Sequence, residues 1–82
     1  MIRQIYSVRD AQAAIYGPPV LALTDGEAIR SFQTAANNPQ SAIGQHPADY
    51  DLFHLGTFDD ETGKYQSLEA PKRLIKALDL KS

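Results

Sequence analysis

Ile5 to Val20, IYSVRDAQAAIYGPPV, and its later counterpart His46 to Gly63, HPADYDLFHLGTFDDETG, decide the fold of this chain. In the first stretch, Gln4 to Val8 mixes β-branched, aromatic and polar side chains, as a half-buried strand does. Arg9-Asp10-Ala11-Gln12 predicts a turn, without the strong Asn-Gly signal. Extended structure resumes from Ala13 to Leu23 and is interrupted by Pro18 and Pro19. Proline has no N–H to give a sheet ladder, so this strand is expected at an edge or bulged, and the proline pair guards that edge against stray pairing. In the second stretch, Asp51 to Phe58 reads as a strand and Asp59-Asp60-Glu61-Thr62-Gly63 as a turn, with Gly63 supplying a positive φ. Lys64 to Leu68 returns as the fourth strand.

Between the hairpins lies a helix. Thr24 is an N-cap, Glu27 sits three residues on to complete a capping box, and Asp25 places negative charge at the positive end of the dipole. Ala28, Ile29, Phe32, Ala35 and Ala36 fall at helical spacing and form one apolar stripe, with Arg30, Gln33, Thr34 and Asn37 facing away. Asn37-Asn38-Pro39 ends it. Gln40 to Gln45 reads as a loop, and Pro47 opens one short helical turn to Tyr50. Pro71 to Leu78 suits a short helix with Leu74, Ile75 and Leu78 on one face. The expected fold is therefore α+β: a four-stranded antiparallel sheet in ββαββ order with one packed helix and a short C-terminal helical segment. It forms a single domain over residues 1–82, made of a hairpin 4–23, a helix 25–37, a hairpin 51–68 and a basic segment 71–82.

At 82 residues the chain has room for one small core. With no cysteine, neither a disulfide nor a thiolate metal site can stiffen it, which leaves a partner chain as the expected staple. Strict alternation along Asp51–Phe58 puts Leu52 and Phe58 on one face and Phe53 and Leu55 on the other. A single helix covers only one of those faces, so a homodimer or another partner is expected to meet this strand through Leu52, Phe53, Leu55 and Phe58. An apolar share of 43% and a charged share of 22% fit a globular domain and argue against a disordered tail. The net charge of −2 argues against a protein that coats nucleic acid in bulk. No apolar run approaches the ~18–20 residues of a membrane span, and Met1 to Tyr6 lacks the apolar core of a signal peptide. A soluble cytoplasmic protein is expected.

Charge is sorted along the chain. Asp49, Asp51, Asp59, Asp60, Glu61 and Glu69 face only Lys64 between positions 49 and 69, whereas Lys72, Arg73, Lys76 and Lys81 face only Asp79 between 71 and 82. Three readings stand: solvated faces, head-to-tail pairing of opposite charges, or a small phosphate-binding patch at the C-terminus.

The residues offer no catalytic constellation. The serines sit in no nucleophile-elbow context, His54 lies alone in mid-strand, and Asp59-Asp60-Glu61 is a solvated turn that fails the calcium-loop pattern. The five glycines form no phosphate loop. Neither a cofactor nor a catalytic or metal site is expected. Tyr6, Tyr16, Tyr50, Phe53, Phe58 and Tyr65 do lie on or beside strands, and sheet-borne aromatics are how several single-strand binders hold nucleic acid. Along the chain they are not interleaved with Arg or Lys, apart from Arg3, Arg9 and Lys64, so cross-strand packing is the competing reading.

These motifs together resemble the small nonstructural protein of gokushovirus-type microviruses, single-stranded DNA phages of bacteria. The resemblance rests on Ser7-Val8-x-Asp10 at the end of the opening strand and on Tyr16-Gly17-Pro18-Pro19. It continues in Gly26-Glu27-Ala28-Ile29-Arg30 and in the His46 to Asp59 run, His-Pro-x-Asp-Tyr-x-Leu-Phe-x-Leu-Gly-x-Phe-Asp. It spans Ile5 to Pro71; the tail beyond is variable in such proteins. It implies a non-enzymatic accessory protein in the host bacterium's cytoplasm. Such a protein would assist viral single-stranded DNA synthesis, or its coupling to packaging, by binding single-stranded DNA or a viral or host replication protein. For direct DNA binding the candidate phosphate ligands are Arg3, Arg9, Lys72, Arg73 and Lys76, and the stacking candidates Tyr6, Tyr16 and Tyr65. The alternative is a protein-interaction module without nucleic-acid affinity, either a homodimeric assembly factor or an acidic inhibitor of a host protein.

Overall fold

The computed structural model describes residues 1–81; Ser82, the end of the expected basic segment 71–82, lies outside the described residues. The chain forms β1 (Ile2–Asp10), β2 (Ile15–Tyr16), β3 (Val20–Ala22), α1 (Asp25–Ala36), the one-turn helix α2 (Ala42–Gln45), β4 (Tyr50–Asp59) and β5 (Tyr65–Lys76). Single 3-10 turns occupy Pro47–Asp49 and Ala77–Leu80. The strands make one curled antiparallel sheet in the order β2-β1-β4-β5, with β3 also paired to β1. The class is α+β, as expected.

The expectation of an edge strand interrupted at the prolines holds. Gly17-Pro18-Pro19 divides the predicted second strand into two short edge pieces, β2 and β3. The Gly17 amide donates to the Val8 carbonyl (2.8 Å) and the Gly17 carbonyl accepts from Ser7 Oγ (2.7 Å), so the break stays pinned to β1. Helix α1 starts where the cap predicts: Thr24 Oγ1 accepts from the Glu27 amide at 3.1 Å. Its apolar stripe buries Ala28, Phe32 and Ala36 against Tyr6, Ala22 and Leu52 of the sheet and Ala77 of the C-terminal turn.

Three sequence expectations change. Gln40–Gln45 is not all loop: Ser41 Oγ caps a helical turn by accepting from the Gly44 amide (2.9 Å). The tail is not a helix over 71–78; β5 runs on to Lys76, and only Ala77–Leu80 turns. The first half of β4 needs a partner on its free edge. The tail supplies it, packing Ile75 opposite Leu52 and setting Arg73 and Lys76 beside Asp51. Third, β4 does not alternate strictly. Tyr6 pairs with His54 and Ile5 with Gly56, so Leu55 is an extra residue, a β-bulge. The bulge resets the period. Leu52 and His54 face the helix, while Phe53 before the bulge and Phe58 after it face the opposite way.

Candidate nucleic-acid interface

β1 sorts its side chains cleanly. Tyr6 and Val8 point into the core under α1. Arg3, Ile5, Ser7 and Arg9 therefore belong to the other face, over which no helix lies among the described residues. The register then builds that open face row by row. Tyr16, Arg9, Asp51 and Lys76 lie side by side across β2, β1, β4 and β5. The next row holds Ser7, Phe53 and Arg73, then come Leu21, Ile5, Gly56 and Ser67, and finally Arg3, Phe58 and Tyr65. Aromatics and arginines that are apart in sequence thus become cross-strand neighbours three times: Tyr16 with Arg9, Phe53 with Arg73, and Phe58 with Arg3.

A side-chain contact joins the first of these pairs. The rings of Tyr16 and Phe53 meet edge-on, with centroids 5.3 Å apart at 77°, and the Arg9 guanidinium lies 5.8 Å from the Tyr16 centroid. At the hairpin end, Phe58 and Tyr65 join Ile5, Pro19 and Leu21 around an apolar depression of about 340 Å³. The depression is framed by the β4–β5 curl. The Gln66 carbonyl stands where a Cβ on Gly56 would be, so β5 leans over the face and only glycine fits beneath it.

The open face carries more cations than carboxylates despite the acidic total. Arg3, Arg9, Arg73 and Lys76 share the face with Asp51, which is 8% exposed and the buried counter-ion of the group. Arg73 Nε donates to Asp51 Oδ1 at 2.9 Å, and Lys76 Nζ lies 3.7 Å from the same oxygen. Arg3 Nε donates to Asp60 Oδ2 at 3.0 Å, at the rim of the face. The Met1 amino group first, and Arg3 second, hold the Asp60 carboxyl below its usual range. Each arginine bond uses Nε alone among its five donors, and the side chains remain 40% (Arg3) and 53% (Arg73) exposed. Within the β4–β5 hairpin, Asp51 of the acidic run thus pairs with Arg73 and Lys76 of the basic run.

The candidate residues separate accordingly. Arg3, Arg9, Arg73, Lys76, Tyr16 and Tyr65 come together on the open face. Lys72 does not, because it sits opposite His54 and belongs to the helix side. Tyr6 does not either. It is fully buried and its hydroxyl donates to Asp25 at 2.6 Å, so it cannot stack on a base. Burial first, and the bond to Asp25 second, push that hydroxyl well above the usual tyrosine range. Of the expected partner face, Leu52 is 2% exposed and belongs to the core, Leu55 is the bulge, and Phe53 and Phe58 stay half-buried on the open face. Phe53 and Phe58 are the two of the expected partner-face residues that the register sets beside arginines.

His54 Nε2 lies 2.8 Å from Gln4 Oε1 and 3.0 Å from the Gly56 carbonyl, which fixes the ring at the bulge. Among the described residues no helix is long and apolar enough to cross a membrane.

A family model described as phage ORF5 protein matches residues 3–80. No curated protein and no solved structure matches the chain.

Proposed function

The chain belongs to the phage ORF5 protein family, and from that premise we propose that it is a bacteriophage accessory protein whose open sheet face binds single-stranded DNA. In this reading the activity serves viral single-strand synthesis or its coupling to packaging in the host cytoplasm, which the resemblance to gokushovirus-type microvirus nonstructural proteins supports. The protein acts by binding, without catalysis or a cofactor. The observation that carries the reading is the set of three aromatic–arginine pairs on one uncovered face. Exposed rings stack on unpaired bases, which a duplex does not offer, and arginines beside them meet the phosphates. A net negative chain is compatible with this, because its acids lie mainly at the hairpin tip and on the helix side.

The test is fluorescence anisotropy of a labelled single-stranded oligonucleotide, at low and physiological salt, with a duplex control. Micromolar, salt-dependent binding that prefers the single strand is expected. The combined Arg9→Ala and Arg73→Ala variant should bind at least about tenfold more weakly. Absence of binding at low salt refutes the reading.

A second reading draws on a different surface. Ile15, Val20 and Leu23 along the β2–β3 edge are exposed beside an apolar groove of about 290 Å³ between β3 and α1. Such an edge suits a second copy or an assembly protein, as an interaction module would require. Sedimentation separates the cases: a monomer at micromolar concentration speaks against self-association.

A further inference from the structure

The open face has two stacking stations rather than one, and we infer that its ligand is a single DNA strand long enough to engage both at once, running along β1 and β4. This inference rests on the single-strand reading above and adds the ligand's length and direction.

The first station is Tyr16 and Phe53, flanked by Arg9 and Arg73; the second is Phe58 and Tyr65, flanked by Arg3. Register fixes their separation. Arg9 stands opposite Tyr16 and Arg3 stands opposite Phe58, and they are six residues apart on the same strand. At about 3.3 Å per residue the Tyr16 and Phe58 rows are ~20 Å apart, and the Phe53 row, opposite Ser7, lies ~13 Å from Phe58. A stacked strand advances ~3.4 Å per nucleotide, so the longer span corresponds to about six nucleotides, fewer if the strand is stretched. Between the stations the face offers Ile5, Leu21 and side-chain-free Gly56, with no ring on which a base could stack. Pro19 and Leu21 wall the tip end on one side and the overhanging Gln66–Ser67 backbone walls it on the other. A strand lying in that trough runs lengthwise. The stations are also unequal: Tyr65 is 75% exposed and Tyr16 is 42% exposed, already held by Phe53 and Arg9. Tyr65 therefore closes on a base with little loss of internal contact.

The test is a titration of the whole chain with oligothymidylates of three and of eight nucleotides, for the wild type, Tyr65→Ala and Tyr65→Phe. Tyr65 is exposed enough for its removal to leave the fold intact. Wild-type affinity should rise at least about tenfold from the shorter to the longer ligand, beyond the statistical gain from added binding positions. Tyr65→Ala should remove most of that rise, and Tyr65→Phe, which keeps the ring, should restore it. Equal affinity for both lengths, or an undiminished rise in Tyr65→Ala, overturns the two-station arrangement while leaving single-strand binding in place. Failure of the wild type to bind either length removes both this inference and the function it rests on.

Discussion

Gly56 and Tyr6 show how single residues shape this face. A methyl at Gly56 would collide with the Gln66 carbonyl, a backbone atom that can move only by shifting β5. Gly56→Ala should cost about 1–3 kcal/mol, read as a lowered urea midpoint, and should open the curl that carries Tyr65. Tyr6 serves the core. Tyr6→Phe leaves the exposed Asp25 to water and should cost about 1 kcal/mol while leaving oligonucleotide affinity unchanged; a weakened affinity would return Tyr6 to the binding face. The pH dependence follows from the raised hydroxyl. The group is neutral in the fold, so its stabilising effect is complete below its ordinary value of 10.0 and is lost as pH rises above that toward the folded value. Alkaline unfolding should therefore be accompanied by a late phenolate absorbance, which Tyr6→Phe abolishes.

Elements differ in how openly the sequence declares them. Helix α1 was legible because its cap, stripe and stop all act within the element; Thr24→Ala should cost about 1 kcal/mol by thermal melting. The Pro18-Pro19 break was legible for the same local reason. The tail was not. Pro71 followed by Lys72-Arg73-Leu74-Ile75-Lys76 satisfies a helix start as well as a strand, and the choice was made by β4, where Asp51 is 22 residues from Arg73 in sequence yet adjacent in space. The two assignments differ in measurable energetics. As a strand, half-buried Ile75 opposite Leu52 should cost about 2 kcal/mol on replacement by Ala, whereas half-exposed Leu78 should cost within about 0.5 kcal/mol. A helix with both on one apolar face would make the two losses similar. The bulge at Leu55 was likewise hidden, because a one-residue insertion has no composition of its own and shows only against a partner strand. That residue decides which phenylalanines share a face, so the candidate site inherited the error: Leu52 was placed outside and Phe58 was paired with the wrong neighbours.

At the scale of the whole molecule, the sheet separates two jobs. One face buries α1 and the C-terminal turn and makes the core; the other gathers Arg3, Arg9, Arg73 and Lys76 with four aromatic rings. Net charge, a sum over both, conceals this division. If those four cations each displace a counter-ion from a phosphate, affinity for single-stranded DNA should fall with salt at a logarithmic slope of about −3. The most direct test of the account is a two-dimensional NMR titration of the labelled protein with a short oligothymidylate. The account predicts shifts concentrated at Arg3, Ile5, Arg9, Tyr16, Phe53, Phe58, Tyr65 and Arg73, with α1 unmoved. Shifts confined to α1 or to the β2–β3 edge, or no shifts at all, would contradict it.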